Sequence, residues 1–180
     1  MKFTPTPLKD AFVIDLEPIS DGRGFFARSF CAREFEEHGL RPVIAQMNVS
    51  FNHRRGTLRG LHYQLPPAGE TKLLRCTSGA VYDVIIDMRT ESPTYLKHFG
   101  IELSAENHKA LYVPEMFAHG YLSLTDGAEV MYPAGEFYAP GHERGIRHDD
   151  PFFKIQWPTT VELVSDKDAA WPDFSPNSNR

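Results

Sequence analysis

The sequence predicts an all-β protein, a jelly-roll β-sandwich or barrel with a few short helices. Short runs of β-branched, aromatic and other apolar residues, about four to eight long, recur along the 180-residue chain and are bounded by turn-forming residues. Helical periodicity is confined to one short stretch. Many short strands without intervening helices form antiparallel sandwiches or barrels rather than α/β folds.

The helical stretch lies near residues 31–39, "CAREFEEHG", where charged residues surround Phe35 and Gly39 supplies a stop signal. The strands follow it along the chain. "KLLRC" ends at the turn residues "TSG", and "AVYDVIIDM" ends at "RTESPT". The other predicted strands are "GTLRGLHYQ", "HFGIEL", "ALYVP", "GYLSL" and "EVMYPAGEFYAP".

Length and composition indicate one jelly-roll domain over residues 1–180. The chain is long enough to bury a sizeable core, and no internal repeat, low-complexity tract or linker divides it. Hydrophobic residues make up 41% and charged residues 24%, as in ordinary soluble globular proteins. The two cysteines, Cys31 and Cys76, have no nearby Cys partner, so neither a disulfide framework nor a Cys-based zinc site is expected.

Charge and hydropathy exclude several classes of function. A net charge of -5 argues against nucleic-acid binding, which usually requires a basic surplus. No apolar run approaches the ~20 residues of a membrane-spanning helix. The N-terminus has prolines and an early Asp where a secretory signal would be apolar, so we expect a cytoplasmic protein. The local basic cluster "HRRGTLRG" suggests one small anionic ligand.

The strand "GTLRGLHYQ" places Arg59 and His62 three positions apart around Gly60. Strict alternation would send the two side chains to opposite faces of the sheet. A bulge at Gly60 would let both reach one cavity, since glycine in a strand often marks a bulge or a close backbone approach. Alternatively, Arg59 is a solvated edge charge and His62 a hydrogen-bonded core histidine.

A second histidine, His119 in "VPEMFAHGYLSL", raises the question of a metal. Metal-binding cupins use His-x-His with a Glu, and a further His after a Pro-x-Gly turn. Here Gln64 stands where the second His would be, and Met116 replaces the turn glycine. Three or four well-placed ligands are needed for a firm site, so we expect no metal and interpret the histidines as proton-transfer groups.

Other polar residues are weak signals when taken singly. Lys72 in "GETKLLRC" could point its ammonium into a polar cavity, or it could be an edge-strand lysine that discourages sheet pairing. Tyr132 and Tyr138 more often pack in a core with a hydrogen-bonded hydroxyl. "SDKD", with Lys167 and Asp168, is in isolation a polar turn.

Together these residues resemble the dTDP-4-dehydrorhamnose 3,5-epimerase family. The resemblance runs from about Asp21 to Trp171, and it implies a cupin-type jelly roll that forms homodimers. It also implies epimerisation of nucleotide-linked 4-keto-6-deoxysugars without a metal or an organic cofactor. The motifs occur in the typical order: "DGRGFFARSF", "QMNVSFNHRRGTLRGLHYQ", "TKLLRCTSGAVYDVIIDMR", "SPTY", "LYVPEMFAHGYLSL", "GHERGIRHDDP", "IQWP" and "SDKD".

The resemblance also implies roles for individual residues. His62 would be the general base, with Asp168 orienting its imidazole. Lys72 would stabilise the enolate oxygen, and Tyr132 would return a proton from the opposite face. The remaining residues would bind substrate: Arg59 and Arg23 the diphosphate; His119, Glu143, Lys167 and Tyr138 the sugar and nucleotide pocket; Asn48 and Gln46 the nucleotide region.

Elementary chemistry supports these residue types. A proton alpha to a ketone is weakly acidic, so the base must be positioned and the enolate charge must be met by a preorganised cation or donor. Inversion needs a second proton donor on the far face, because return from the same side restores the starting configuration. Arginine grips a diphosphate bidentately.

The chain departs from the family pattern at three places: Arg28 where Glu is usual, Met47 where Asp is usual with one extra residue before Gly56, and "PAGEF" after Tyr132. The nucleotide base, the sugar and the number of centres inverted therefore stay open. So do an epimerase inverting C3 or C5 alone, a 3,4-ketoisomerase, a metal-dependent cupin using His62 and His119, and a non-catalytic sugar-nucleotide binder.

Overall fold

The computed structural model describes residues 1–176 and contains two facing β-sheets, a separate two-stranded hairpin and two short helices. The strands are β1 (Lys2–Pro5), β2 (Phe12–Asp15), β3 (Ile19–Asp21), β4 (Gly24–Phe26), β5 (Gln46–Asn52), β6 (Leu58–Gln64), β7 (Lys72–Ser78), β8 (Ala80–Asp87), β9 (His98–Ser104), β10 (Ala110–Val113), β11 (Phe117–Ser123), β12 (Ala128–Ala134) and β13 (Glu143–Gly145). The helices are α1 (Ala32–Glu37) and α2 (Asp166–Ala169).

The two sheets pair several strands that are distant in sequence. The six-stranded sheet runs β1-β2-β10-β7-β12-β5, and the five-stranded sheet runs β13-β6-β11-β8-β9. The pairs between these strands are antiparallel. The all-β prediction is confirmed. The single domain over residues 1–180 stays a prediction, and its last four residues lie outside the described part.

The main core lies between the sheets, and both sheets contribute apolar side chains to it. Leu74 and Val130 of the first sheet and Val81, Ile85 and Leu103 of the second are buried in one cluster. Full burial of such a side chain contributes roughly 1.5–3 kcal/mol. Tyr121 of this cluster also borders the candidate site.

Helix α1 covers the outer face of the six-stranded sheet, close to the predicted 31–39 stretch. Its Phe35 is 1% exposed and packs in a cluster with Ile14, Leu73 and Tyr112. The predicted strand "EVMYPAGEFYAP" is shorter than expected, since β12 ends at Ala134. Beyond Ala134 the chain turns, and the Tyr138 N–H donates to the Gln46 side chain instead of a strand partner.

A bulge in β6 resolves the placement of Arg59 and His62. His62 is opposite His119 and Arg59 is opposite Tyr121, so three steps along β6 match two along β11. Gly60 has a φ of 106°, and a Cβ there would lie 2.6 Å from the Gly120 Cα. Only glycine allows this approach, and the predicted bulge at Gly60 is confirmed.

The C-terminal segment returns to the start of β6 and carries α2 to the cavity. The Leu58 N–H donates to the Leu163 carbonyl, with 2.8 Å between nitrogen and oxygen. Ser165 then caps α2 by accepting from the Asp168 N–H. The "SDKD" turn is therefore a short helix that aims Asp168 at β6.

Candidate active site

A cavity of about 550 Å³ opens between the two sheets. β6 and β11 supply one wall, and β5, β7 and β12 supply the other. The segment around α2 closes one side. The lining residues are Ser50, Thr57, Leu58, Arg59, His62, Lys72, His119, Tyr121, Tyr132, Leu163, Val164, Ser165, Lys167 and Asp168.

His62 and Asp168 form a hydrogen-bonded pair in this cavity. The His62 Nε2 lies 2.7 Å from Asp168 Oδ1, and the Gly60 N–H donates to Oδ2 across 3.1 Å. Burial alone would raise the pKa of Asp168, but these hydrogen bonds and the charge of His62 lower it below its usual value. An ionised carboxylate can only accept, so Nε2 carries the proton and Nδ1 keeps a free lone pair. That tautomer can act as a base.

A second such pair lies beside the first. His119 is 8% exposed, and its Nε2 is 3.0 Å from the carboxylate of Asp83, which is fully buried. Asp83 belongs to β8, and its Cα is opposite Tyr121 of β11. Asp83 is not among the predicted site residues, although a charged residue inside the apolar strand "AVYDVIID" is a signal of a buried partner.

Lys72 points into the cavity from the opposite sheet. Its side chain is 9% exposed, and Nζ lies 2.9 Å from Glu70 Oε1. Nζ also lies 3.5 Å from the His62 carbonyl oxygen. A buried ammonium needs such partners to offset its lost hydration. The edge-lysine alternative is therefore wrong for Lys72, which is a cavity cation.

Tyr132 lies on β12, in the same sheet as Lys72 and facing the sheet of His62. Burial raises the pKa of the Tyr132 hydroxyl, and the negative charge of Glu70 raises it further, while Arg59 acts in the opposite direction. The hydroxyl is thus protonated near neutral pH and can donate a proton. A basic histidine and a protonated tyrosine line opposite walls of one cavity.

Arg59 is held by hydrogen bonds to residues that are not among the predicted site residues. Its Nε donates to Asn52 Oδ1 across 2.8 Å, and Nη2 donates to the Phe51 carbonyl. Asn52 is 1% exposed and donates to the Ala128 carbonyl and to the Tyr121 hydroxyl. Asn52 thus fixes the direction of a guanidinium that borders the cavity.

Four predicted binding residues do not line the cavity and are called the rim residues below: Gln46, Asn48, Tyr138 and Glu143. Lys167, which does line the cavity, is 2.6 Å from Glu143 Oε2, and this hydrogen bond raises the Lys167 pKa. The Tyr138 hydroxyl is 3.4 Å from the same carboxylate oxygen. The Tyr138 N–H donates to Gln46 Oε1 across 2.8 Å. Asn48 is half-buried on β5 opposite Tyr132.

Arg23 does not line the cavity. It lies at the turn of the β3–β4 hairpin, its side chain is 91% exposed, and it forms a 2.6 Å ion pair with Asp21. Arg28, one of the departures from the family pattern, pairs with Glu34 of α1 across 3.2 Å. The structure of one chain therefore brings together seven of the twelve predicted site residues at the cavity, namely His62, Tyr132, Asp168, Lys72, Arg59, His119 and Lys167.

The chain is similar in sequence to proteins of one known family. The sequence profile described as dTDP-4-dehydrorhamnose 3,5-epimerase matches residues 5–176. The chain belongs to the dTDP-4-dehydrorhamnose 3,5-epimerase family. The family member from Shigella flexneri is 43% identical over 168 residues, which are 93% of each chain.

Solved structures of dTDP-4-dehydrorhamnose 3,5-epimerases have the same fold. The crystal structure from Bacillus anthracis, with TDP and PPi bound, has a TM-score of 0.92 and 40% identity, covering 96% of this chain and 99% of that one. The dTDP-6-deoxy-D-glucose-3,5-epimerase from Legionella pneumophila, in complex with dTDP-4-keto-L-rhamnose, has a TM-score of 0.86 and 37% identity, covering 94% and 90%. The predicted cupin-type jelly roll and the predicted isomerase class are confirmed.

Residues 1–176 contain no group of three or more His, Cys, Asp or Glu side chains arranged to hold a metal ion. No helix within that range has both the length and the apolar character needed to span a membrane. Cytoplasmic location and the absence of nucleic-acid binding stay predictions.

Proposed function

We propose that the protein epimerises a nucleotide-diphospho-4-keto-6-deoxysugar at C3 and C5, converting dTDP-4-dehydro-6-deoxy-D-glucose to dTDP-4-dehydro-L-rhamnose. The observation that carries the proposal is the His62–Asp168 pair facing Tyr132 across one cavity of an epimerase-family chain. The bound nucleotide and nucleotide sugar of the two related crystal structures support the substrate class.

In the proposed reaction, the free Nδ1 of His62 removes the proton alpha to the C4 ketone. The electrons move onto the ketone oxygen, and the Lys72 ammonium stabilises the resulting enolate. The ketone then re-forms as the Tyr132 hydroxyl gives a proton to the carbon from the other wall, which inverts the centre. Solvent afterwards takes the proton from the His62 imidazolium and returns one to the Tyr132 phenolate. Asp168 stays ionised and stabilises the imidazolium that forms in the first step.

A single incubation tests this function. The protein is mixed with dTDP-, CDP- or GDP-linked 4-keto-6-deoxysugars in deuterium oxide containing EDTA, and NMR follows label and configuration at C3 and C5. We expect label and inversion at both carbons of the dTDP sugar. A 3-keto product would indicate a ketoisomerase, loss of activity with EDTA that one metal restores would indicate a metal-dependent cupin, and bound but unchanged sugar would indicate a binder.

The predicted binding of the substrate's diphosphate by Arg59 can be tested by substitution. Arg59 is exposed in the free chain, and a bound diphosphate would cover it. Arg59→Ala should then weaken substrate binding by roughly 2–5 kcal/mol, the range for truncating one partner of a charge pair that is buried in the complex, while the rate from the bound state falls less. Steady-state kinetics and calorimetry with dTDP measure the two effects. Arg144→Ala, on β13 outside the cavity lining, is the control. If wild-type protein converted the free sugar ketone as well as the nucleotide-linked sugar, binding of a diphosphate would not contribute to the reaction, and the role proposed for Arg59 would be wrong.

We also propose a homodimer whose N-terminal strands contribute to the partner's sheet. β1 forms one edge of the six-stranded sheet, and strand edges are sites for further pairing. In the β3–β4 hairpin, the Ile19 and Phe26 side chains are each 73% exposed. Exposed large apolar side chains that lie together are typical of a contact with another protein. If this hairpin reaches the other protomer's cavity, Arg23 can hold the diphosphate there although it does not line the cavity of its own chain.

Mixed dimers test this placement of Arg23. Light scattering at micromolar concentration should give the mass of two chains, and a monomer would contradict the dimer. Arg23→Ala and His62→Ala should each be impaired alone. If Arg23 serves the partner's cavity, unfolding and refolding the two variants together should restore activity, since one cavity of each mixed dimer then has both residues. No restoration would place Arg23 in its own cavity or outside the site.

A further inference from the structure

Glu70 has no role in the reaction described so far, although it touches the proposed enolate-stabilising cation. Its side chain is 16% exposed, and its Oε1 lies 2.9 Å from Lys72 Nζ. Among the described residues, Glu70 supplies the carboxylate within ion-pair distance of that ammonium. Lys72 is thus a buried cation with one charged protein partner, and its position depends on that partner.

The chain direction explains why Glu70 faces the cavity side. In an extended segment, residues two apart point to the same face. Glu70 and Lys72 therefore share a face, while Thr71 between them points the other way, towards Gly135. Glu70 also lies close enough to Tyr132 for its charge to act on that hydroxyl. The Glu70 carboxylate thus lies near both Lys72 and Tyr132, the two groups that this wall presents to the substrate.

We propose that Glu70 is a positioning residue that holds the Lys72 ammonium where the enolate oxygen forms, an inference that rests on the proposed epimerisation. An ammonium has three N–H donors. Glu70 takes one across 2.9 Å, and the His62 carbonyl lies 3.5 Å away from Nζ. With two N–H groups of the ammonium directed at these protein acceptors, the third is left to point into the cavity. The carboxylate itself does not contact the reacting atoms.

This arrangement matters because electrostatic stabilisation of an enolate depends on a cation that is already in place. Without the carboxylate, the flexible four-carbon stem of Lys72 can adopt other rotamers, and the ammonium no longer has to remain at the cavity wall. Binding of the nucleotide would change little, because Arg59 and the rim residues hold it from other strands. The expected defect is therefore in the chemical step.

Glu70→Gln tests the inference, since it keeps the size of the side chain and removes its charge. We expect kcat for deuterium exchange at C3 and C5 to fall by about 10–10²-fold, the effect of misplacing a catalytic group by about 1 Å, with KM changing far less. The control is Asp15→Asn, which removes the carboxylate partner of Lys109 outside the cavity and should leave both constants unchanged. Thermal melts of both variants report on folding.

A double-mutant cycle with Lys72→Met separates positioning from a general structural effect. If Glu70 acts through Lys72, adding Glu70→Gln to Lys72→Met should cause no further loss of kcat. Losses that multiply, or a Glu70→Gln kcat equal to that of the active wild type, would overturn the inference alone. If Glu70→Gln does not fold, Glu70→Asp should still lower kcat, and a wild-type value would count against positioning. Absence of exchange in wild-type protein would overturn the proposed function together with this inference.

Discussion

His62→Ala should abolish deuterium uptake at both C3 and C5 of the dTDP-linked 4-keto sugar, with a loss of about 10⁴-fold, the upper end for a positioned general base. The physical reason is that no enolate forms without a base positioned at the alpha proton. His62 meets this need because Asp168 holds the proton on Nε2 and leaves Nδ1 free. NMR in deuterium oxide measures uptake and inversion in one sample.

Two further variants sharpen this result. Asp168→Asn should fall nearly as far, because an amide nitrogen can donate to Nε2 and thereby move the imidazole proton to Nδ1, where it blocks the base. His98→Ala removes an exposed histidine on β9 and should react like wild type. Wild-type deuterium uptake by folded His62→Ala would show that another group removes the proton, and His119 with its Asp83 partner would be the first to examine.

The sequence predicts the fold well because the fold depends on local patterns. Alternation places Leu74 and Cys76 of β7 inward, and the same rule holds along β8 and β12. Gly60 marks the bulge because only glycine tolerates the approach to Gly120. Alternation alone does not predict which distant strands pair with each other. The Ala134–Lys72 pairing, which brings β12 beside β7, follows from the packing of the whole sandwich.

Prediction of the site is limited for a related reason. Resemblance identifies His62, Lys72, Tyr132 and Asp168, and the structure places all four at one cavity. Residues that act through another side chain are harder to find, since Asn52 and Glu70 are recognised only when their partners' positions are known. Arg23 is a different case, because its side chain does not line the cavity of its own chain, and its predicted diphosphate role rests on the proposed second protomer.

The second large effect is expected for Tyr132→Phe, which should separate deuterium exchange from inversion. His62 still forms the enolate, its own proton exchanges with solvent, and it can return deuterium to the face from which it took hydrogen. Label therefore continues to enter C3 and C5 with retained configuration. Inversion should drop by about 10²–10⁴-fold, because the other wall no longer carries an acidic proton.

This outcome depends on Tyr132 being the donor on the wall opposite His62. Its hydroxyl is protonated near neutral pH, because a tyrosine hydroxyl ionises only well above that pH, and burial and Glu70 raise its pKa further. Phenylalanine keeps the ring packing while removing that proton. Tyr82→Phe, a tyrosine that packs against Trp157 away from the cavity lining, is the matched control and should invert normally. Inversion by Tyr132→Phe at the wild-type rate would mean that water or another side chain protonates the far face. Loss of exchange and inversion together would mean that Tyr132 is needed to form the enolate.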